Sequence, residues 1–265
     1  MIYANPIVGR TGLCNMLFVW ARALVFAKKN DAVMLAPRWT NFFRLGPLIR
    51  LERNKRYYIN EFTNKGYLGG FKKRLVNLMH RHLPESEMAR ALDGDVVDFF
   101  GWSNDCFKNL IGHHGYIKKS LDSIVNPALV SVADTFGAKP FIGVHIRRGD
   151  FVTNGQWIPD EWYRLGISKA RELVGQLPIK VFSDSSPDKL NGITSMFEDC
   201  EIMPKAPAVQ DLLMLSKSKC IVATAKSSFS MWSVFLGQMP SIWSDEEPVL
   251  GMCADSRNAI LLKGC

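Results

Sequence analysis

Apolar and polar positions are distributed differently in the two halves of the chain. After residue 140, short apolar runs recur between helical stretches. Phe141–Ile146, Ile179–Phe182, Cys200–Met203, Cys220–Ala223 and Ser241–Trp243 read as strands. Asp160–Leu177 spaces Trp162, Leu165, Ile167 and Leu173 as a helix does, and Val209–Lys217 and Ser227–Gln238 continue the alternation. Repeated strand–helix–strand units with apolar strands predict a parallel sheet covered on both faces. Such sheets bind ligands beyond the carboxyl ends of their strands.

The first half is less regular. Met1–Val8 reads as a strand interrupted or ended near Pro6, followed by the turn Gly9-Arg10-Thr11-Gly12 and a mostly apolar helix from Asn15 to Lys28. Val33–Ala36 suggests a second strand. Residues 37–95 are rich in Arg, Lys and aromatics and poorly periodic. Within them Lys72–His82 predicts a basic amphipathic helix with Leu75, Leu78 and Met79 on its apolar face. A strand at Asp95–Phe100 leads into Gly101-Trp102. The pattern breaks at Asn126-Pro127 and Gly137–Pro140, so a domain border is expected there.

Composition narrows the class. In 265 residues, 47% hydrophobic positions exclude a disordered chain. The early apolar run Leu13–Ala27 has 15 residues and contains Asn15 and Arg22. It is shorter than the ~20 residues of a membrane span, and it lacks the flanks of a signal peptide. The cysteines, Cys14, Cys106, Cys200, Cys220, Cys253 and Cys265, show no C-x-x-C pair, which fits reduced thiols in a cytosolic protein. A net charge of +8 fits either a polyanionic partner or simple solubility. No nucleic-acid-binding motif accompanies it.

Four segments carry candidate chemistry. His145-Ile146-Arg147-Arg148-Gly149-Asp150 ends the strand Phe141–Ile146. Two arginines there suit phosphate oxygens, since the guanidinium is always charged and presents a planar fork of donors; a solvated pair with Asp150 as counter-ion is the plain alternative. Ala223 to Ser230 joins a strand to a helix, where Ser227 and Ser228 either cap the helix or complete an anion site. Phe182-Ser183-Asp184-Ser185 places a carboxylate after a strand, as ribose ligand or as helix cap. Gly12-Leu13-Cys14-Asn15 sets an amide at a helix start but does not match G-x-G-x-x-G. His80-Arg81-His82 and His113-His114 lack the partners of a metal site. The one D-x-D, Asp93-Gly94-Asp95, precedes a strand instead of following it.

Together these segments resemble the family-11 glycosyltransferases, the α-1,2-fucosyltransferases, and more loosely the α-1,6- and protein O-fucosyltransferases. Gly12-Leu13-Cys14-Asn15-Met16-Leu17-Phe18 is similar to that family's opening turn and helix, and Gly101-Trp102 with Phe107 to its mid-chain segment. His145 to Asp150 carries the whole His-x-Arg-Arg-Gly-Asp signature. Phe182 to Ser185, Asp211 to Ser216 and Ala225 to Trp232 follow in order. Cys14, Met16, Lys226 and Met231 stand where the family pattern has Gly, Gln, Asn and Trp.

The resemblance implies an α/β GT-B fold, two Rossmann-like domains with parallel sheets facing a cleft. Residues 1–130 would form the acceptor-side domain and 131–250 the nucleotide-sugar domain, with 251–265 a tail returning to the N-terminal one. It implies inverting transfer of L-fucose from GDP-fucose, without cofactor or metal, to a glycan hydroxyl such as a galactose 2-OH. Another nucleotide sugar, or a non-catalytic glycan-binding relative, is the alternative. Arg147 and Asp150 are the implied catalytic residues. Asn15, His145, Arg148, Asp184, Ser227, Ser228 and Phe229 are the implied substrate contacts. Nucleic acid is not an expected partner. The expected location is the cytoplasm, and Lys72, Lys73, Arg74, Arg81 and Arg90 read either as a weak dock at the inner membrane face or as a solvated helix face.

Overall fold

The computed structural model describes residues 1–9, 11–39, 58, 60–101, 107–148, 157–244 and 251–262. They fall into two units, Met1–Pro127 and Ala128–Cys265. In the first unit β1 (Tyr3–Ile7) is followed by α1 (Leu13–Asn30), β2 (Val33–Met34), α2 (Gly70–Met79), β3 (His82–Pro84), β4 (Val96–Phe100) and α3 (His114–Ile124). The four strands are parallel, in the order β2-β1-β4-β3.

Pro6 does not end β1 as its lack of an amide hydrogen suggests. The Leu35 amide bonds the Ala4 carbonyl, so even-numbered positions of β1 face β2. Pairing with β2 stops at Ala4, and Pro6 lacks its donor where no ladder partner waits. Helix α1 is buried from Leu13 to Ala27 except at Asn15, as expected of a helix apolar on all sides. Arg22 is 5% exposed. It donates from Nε to both Glu85 carboxylate oxygens at 2.8 and 3.1 Å, and from Nη2 to the Phe100 and Gly101 carbonyls.

The amphipathic helix expected at Lys72–His82 is α2, ending at Met79, while His82 belongs to β3. Its apolar face points outward. Leu78 is 83% and Met79 75% exposed, and Val76 is the buried residue. Lys73 turns inward and donates to the Ala36 carbonyl at 2.7 Å, because the body of the unit supplies that acceptor beside α2. Asp95 of the D-x-D is also structural. It accepts two bonds from Arg81 and one from the Leu92 amide.

The second unit begins with α4 (Pro127–Gly137), which starts at the border. Then come β5 (Ile142–Ile146), α5 (Asp160–Val174), β6 (Ile179–Ser183), α6 (Asn191–Thr194), β7 (Cys200–Ile202), α7 (Ala208–Leu215), β8 (Cys220–Ala223), α8 (Ser228–Gly237), β9 (Ser241–Trp243) and β10 (Ala259–Leu261). All six strands are parallel, in the order β10-β9-β8-β5-β6-β7. The first strand of the unit, β5, lies between the second and the fourth. This is doubly wound topology, and the strand order reverses between β5 and β8. Helices lie very close to this sheet. A Cβ on Gly166 of α5 would stand 2.7 Å from Val222 of β8, and one on Gly143 of β5 would stand 2.6 Å from Leu215 of α7.

The tail expected to return to the N-terminal unit instead extends this sheet. Residues 259–261 pair with β9. Ile260 and Leu262 pack on the core, and the Trp162 indole donates to the Leu262 carbonyl at 3.1 Å. The free edge of β9 and an apolar strand sequence explain the placement.

Candidate active site

The expected phosphate-side residues converge at the carboxyl ends of β5, β6 and β8, across the point where strand order reverses. Thr224, just beyond β8, links them. Its hydroxyl donates to the His145 carbonyl at 2.7 Å and accepts the Arg147 amide at 3.1 Å. Its single proton is thereby used, so the Tyr163 hydroxyl, 2.9 Å away, must be the donor of that contact. Burial raises the Tyr163 pKa above its usual value, which keeps that proton in place.

Asp184, one residue past β6, braces the same loop. Its Oδ1 accepts the Arg148 amide at 2.9 Å, and its Oδ2 lies 3.8 Å from Arg147 Nε. The Arg148 guanidinium pairs with Asp160 at the start of α5 and lies 5.4 Å from the centre of the Trp157 ring. The two arginines are therefore placed differently. The Arg148 side chain is 12% exposed and that of Arg147 32%. Sequence reasoning offered Asp150 as the arginines' counter-ion. Among the described residues Asp160 and Asp184 do this work; Gly149 and Asp150 lie outside them, as does Trp102.

His145 is 6% exposed. Its Nδ1 lies 2.7 Å from Ser230 Oγ, and its ring stacks on Phe229 at a centroid distance of 5.0 Å. Burial, then the charge of Arg147, lowers its pKa from 6.5 to about 3, against the pull of Asp184. The ring is neutral at ordinary pH and locks the end of β5 to the first turn of α8. Ser227 is the N-cap residue of α8, yet its hydroxyl makes no capping bond. The first-turn amides of this ten-residue helix therefore remain directed at the space beyond β8. Just before it, Lys226 adopts φ +58°, a left-handed conformation that Asn tolerates better. Sequence reading passed over Thr224 and Tyr163, which no motif pattern marked, and Asp160, which read only as the start of a helix.

Asn15 belongs to the first unit. It lies in the first turn of α1, where its amide bonds the Gly12 carbonyl and its buried Oδ1 has no partner. Cys14 and Met16, the departures from the family pattern, are 4% and 1% exposed and form part of that unit's core. Among the described residues no group of three His, Cys, Asp or Glu side chains is placed to hold a metal ion.

The architecture has known counterparts. The fucosyltransferase NodZ from Bradyrhizobium is similar over 92% of this chain and 94% of its own, at 16% identity and a TM-score of 0.55. POFUT1 in complex with GDP-fucose is similar over 91% of this chain and 96% of its own, at 14% identity and a TM-score of 0.52. The fold is thus the α/β, GT-B-like fold of these fucosyltransferases. Residues 131–243 match the model of glycosyl transferase family 11, from α4 through β9. An α-1,2-colitosyltransferase of Escherichia coli is 23% identical over 248 residues, 85% of this chain and 84% of its own. Residues 131–243 of the chain are thus similar to the glycosyltransferases of family 11.

Proposed function

We propose that the chain transfers L-fucose from GDP-fucose to a glycan hydroxyl, a galactose 2-OH, with inversion at the anomeric carbon. The supporting observation is Arg147, fixed through its amide by Thr224 where strand order reverses, beside the open first turn of α8. A departing GDP gathers negative charge on its diphosphate. Fixed donors that need no rearrangement meet this charge most effectively. In this reading Arg147 holds the β-phosphate, Ser227 and Ser228 with the α8 amides hold phosphate oxygens, and Arg148 and His145 hold the loop in shape. Asp184, which accepts the Arg148 amide and pairs with Arg147, is the proposed ribose or guanine contact. Inversion requires the acceptor oxygen to attack opposite the diphosphate while a base takes its proton; Asp150 is the proposed base. Phosphate neutralisation by arginine and helix amides makes transfer independent of divalent metal, so activity should survive EDTA. Complete loss on EDTA with rescue by Mn²⁺ would contradict this.

The name of the E. coli relative supports a second reading, transfer of colitose. Colitose lacks the 3-hydroxyl of L-fucose, and a site that bonds this hydroxyl would reject it strongly. A donor screen that includes both GDP-fucose and GDP-colitose, with nucleotide release as readout, separates the readings: turnover of GDP-colitose over GDP-fucose would favour the second. The proposal expects turnover of GDP-fucose over GDP-mannose and UDP-sugars. Turnover of UDP-sugars alone would sink it.

We further propose peripheral association with an anionic membrane at the cytosolic face, through α2. Among the described residues no helix is long and apolar enough to cross a membrane. Phe71, Leu75, Leu78 and Met79 form an exposed stripe, flanked by exposed Lys72 and Arg74. Of the five basic residues first suggested for docking, Lys73 points inward and Arg81 pairs with Asp95. Sedimentation with anionic vesicles at low salt should be lost with Leu78→Asp; a protein that stays in the supernatant does not dock.

A further inference from the structure

The N-terminal unit holds a cavity of its own, about 610 Å³. It opens at the carboxyl ends of β1 and β2, where parallel sheets receive ligands, and one face of α2 closes it. Among the described residues Arg38, Lys73 and Arg74 line it, and no acidic residue does. Lys73 Nζ spends one proton on the Ala36 carbonyl and keeps two. Burial, then the charge of Arg38, lowers its pKa to about 8, against the pull of Asp98. That carboxylate is already engaged, accepting from Asn5 Nδ2 at 2.7 Å and lying 2.8 Å from His82 Nδ1.

The bond to Asp98 also fixes the orientation of the Asn5 amide. Its nitrogen faces the carboxylate, so its oxygen is the atom left over. Asn5 is 3% exposed, and its Oδ1 has no hydrogen-bond partner; the Oδ1 of Asn77, another lining residue, has none either. Two buried acceptors without donors favour a ligand that brings hydroxyl groups. Gly70 stands at the start of α2, with open space around its Cβ position. The N-cap Gly69 offers no side-chain bond, so the first amides of α2 add to the positive side of the cavity.

We infer that this cavity binds an anionic saccharide, its carboxylate or phosphate on Lys73, Arg74 and Arg38 and its hydroxyls on the amide oxygens of Asn5 and Asn77. This rests on the glycosyltransferase reading and narrows it, because the acceptor glycan would then carry an acidic group. Arg38, Lys73, Arg74 and Asn77 lie in the irregular basic stretch and Asn5 in β1, all outside the segment that matches the family model.

The test is a calorimetric titration of the intact protein with galacturonate, galactose 6-phosphate and neutral galactose. Both charged sugars should bind at least ~10-fold more tightly than galactose. The preference should vanish in Lys73→Met with Arg74→Gln and should fall in Arg74→Gln alone at the same salt, a replacement at an exposed position. Equal affinity for charged and neutral sugars, or binding of neither kind, overturns the inference. GDP titrated into the same preparation reports separately on the donor site. GDP binding without an anion preference refutes only the acceptor inference, and absent GDP binding refutes the donor reading.

Discussion

Thr224, Asp184 and His145 make no contact that requires a substrate, yet they decide where Arg147 stands. Thr224 and Asp184 pin the two arginine amides, and His145 ties β5 to α8. Holding His145 neutral has a cost that depends on pH. Below pH 6.5 the unfolded chain takes up a proton at this imidazole, and the folded chain refuses it down to about 3. Stability should therefore fall as pH drops through this window, by about 2 kcal/mol from this group at pH 5. Urea midpoints measured at pH 7.5 and 5.5 should differ less in His145→Asn than in the parent; an unchanged difference refutes the assignment. Lys226 offers a simpler check. Its left-handed backbone strains a lysine, so Lys226→Asn should raise stability by about 1 kcal/mol. A lower thermal midpoint in the variant would contradict this.

At the scale of elements, α1 shows how a buried helix accommodates a charge. Arg22 lies within its apolar surface and is neutralised by Glu85 and the end of β4. Glu85→Ala would leave that guanidinium buried without its counter-ion and should cost about 3 kcal/mol; a loss below about 1 kcal/mol in denaturant unfolding would show that water reaches Arg22. β5 and β8 of the second unit were legible in the sequence because each is a short, nearly continuous apolar run bounded by turns, the pattern of a strand buried on both faces. The helices α3 and α4 were not, since each buries only a narrow stripe, Ile117, Leu121 and Ile124 in one and Ala133 in the other. β10 escaped notice because three residues carry no periodicity. The apolar face of α2 was read correctly as a stripe, but sequence could not show that the stripe faces away from the body. The arginine pair, Asp184 and the serine turn were visible as motifs, while Thr224, Tyr163 and Asp160 gain meaning only when β5, β8 and α5 come together.

At the scale of the whole molecule, a doubly wound sheet holds two arginines where its strand order reverses, which is the basis of the proposed sugar transfer from a nucleoside diphosphate. The central claim is that Arg147 receives the β-phosphate of the donor. GDP and GMP differ by that phosphate alone, so calorimetric titration of both into the parent and into Arg147→Ala tests it most directly. The account predicts that the parent binds GDP more tightly than GMP, that Arg147→Ala weakens GDP by at least ~10-fold, and that GMP affinity changes little. A folded Arg147→Ala protein that binds GDP as the parent does, or a parent that does not distinguish GDP from GMP, would contradict it.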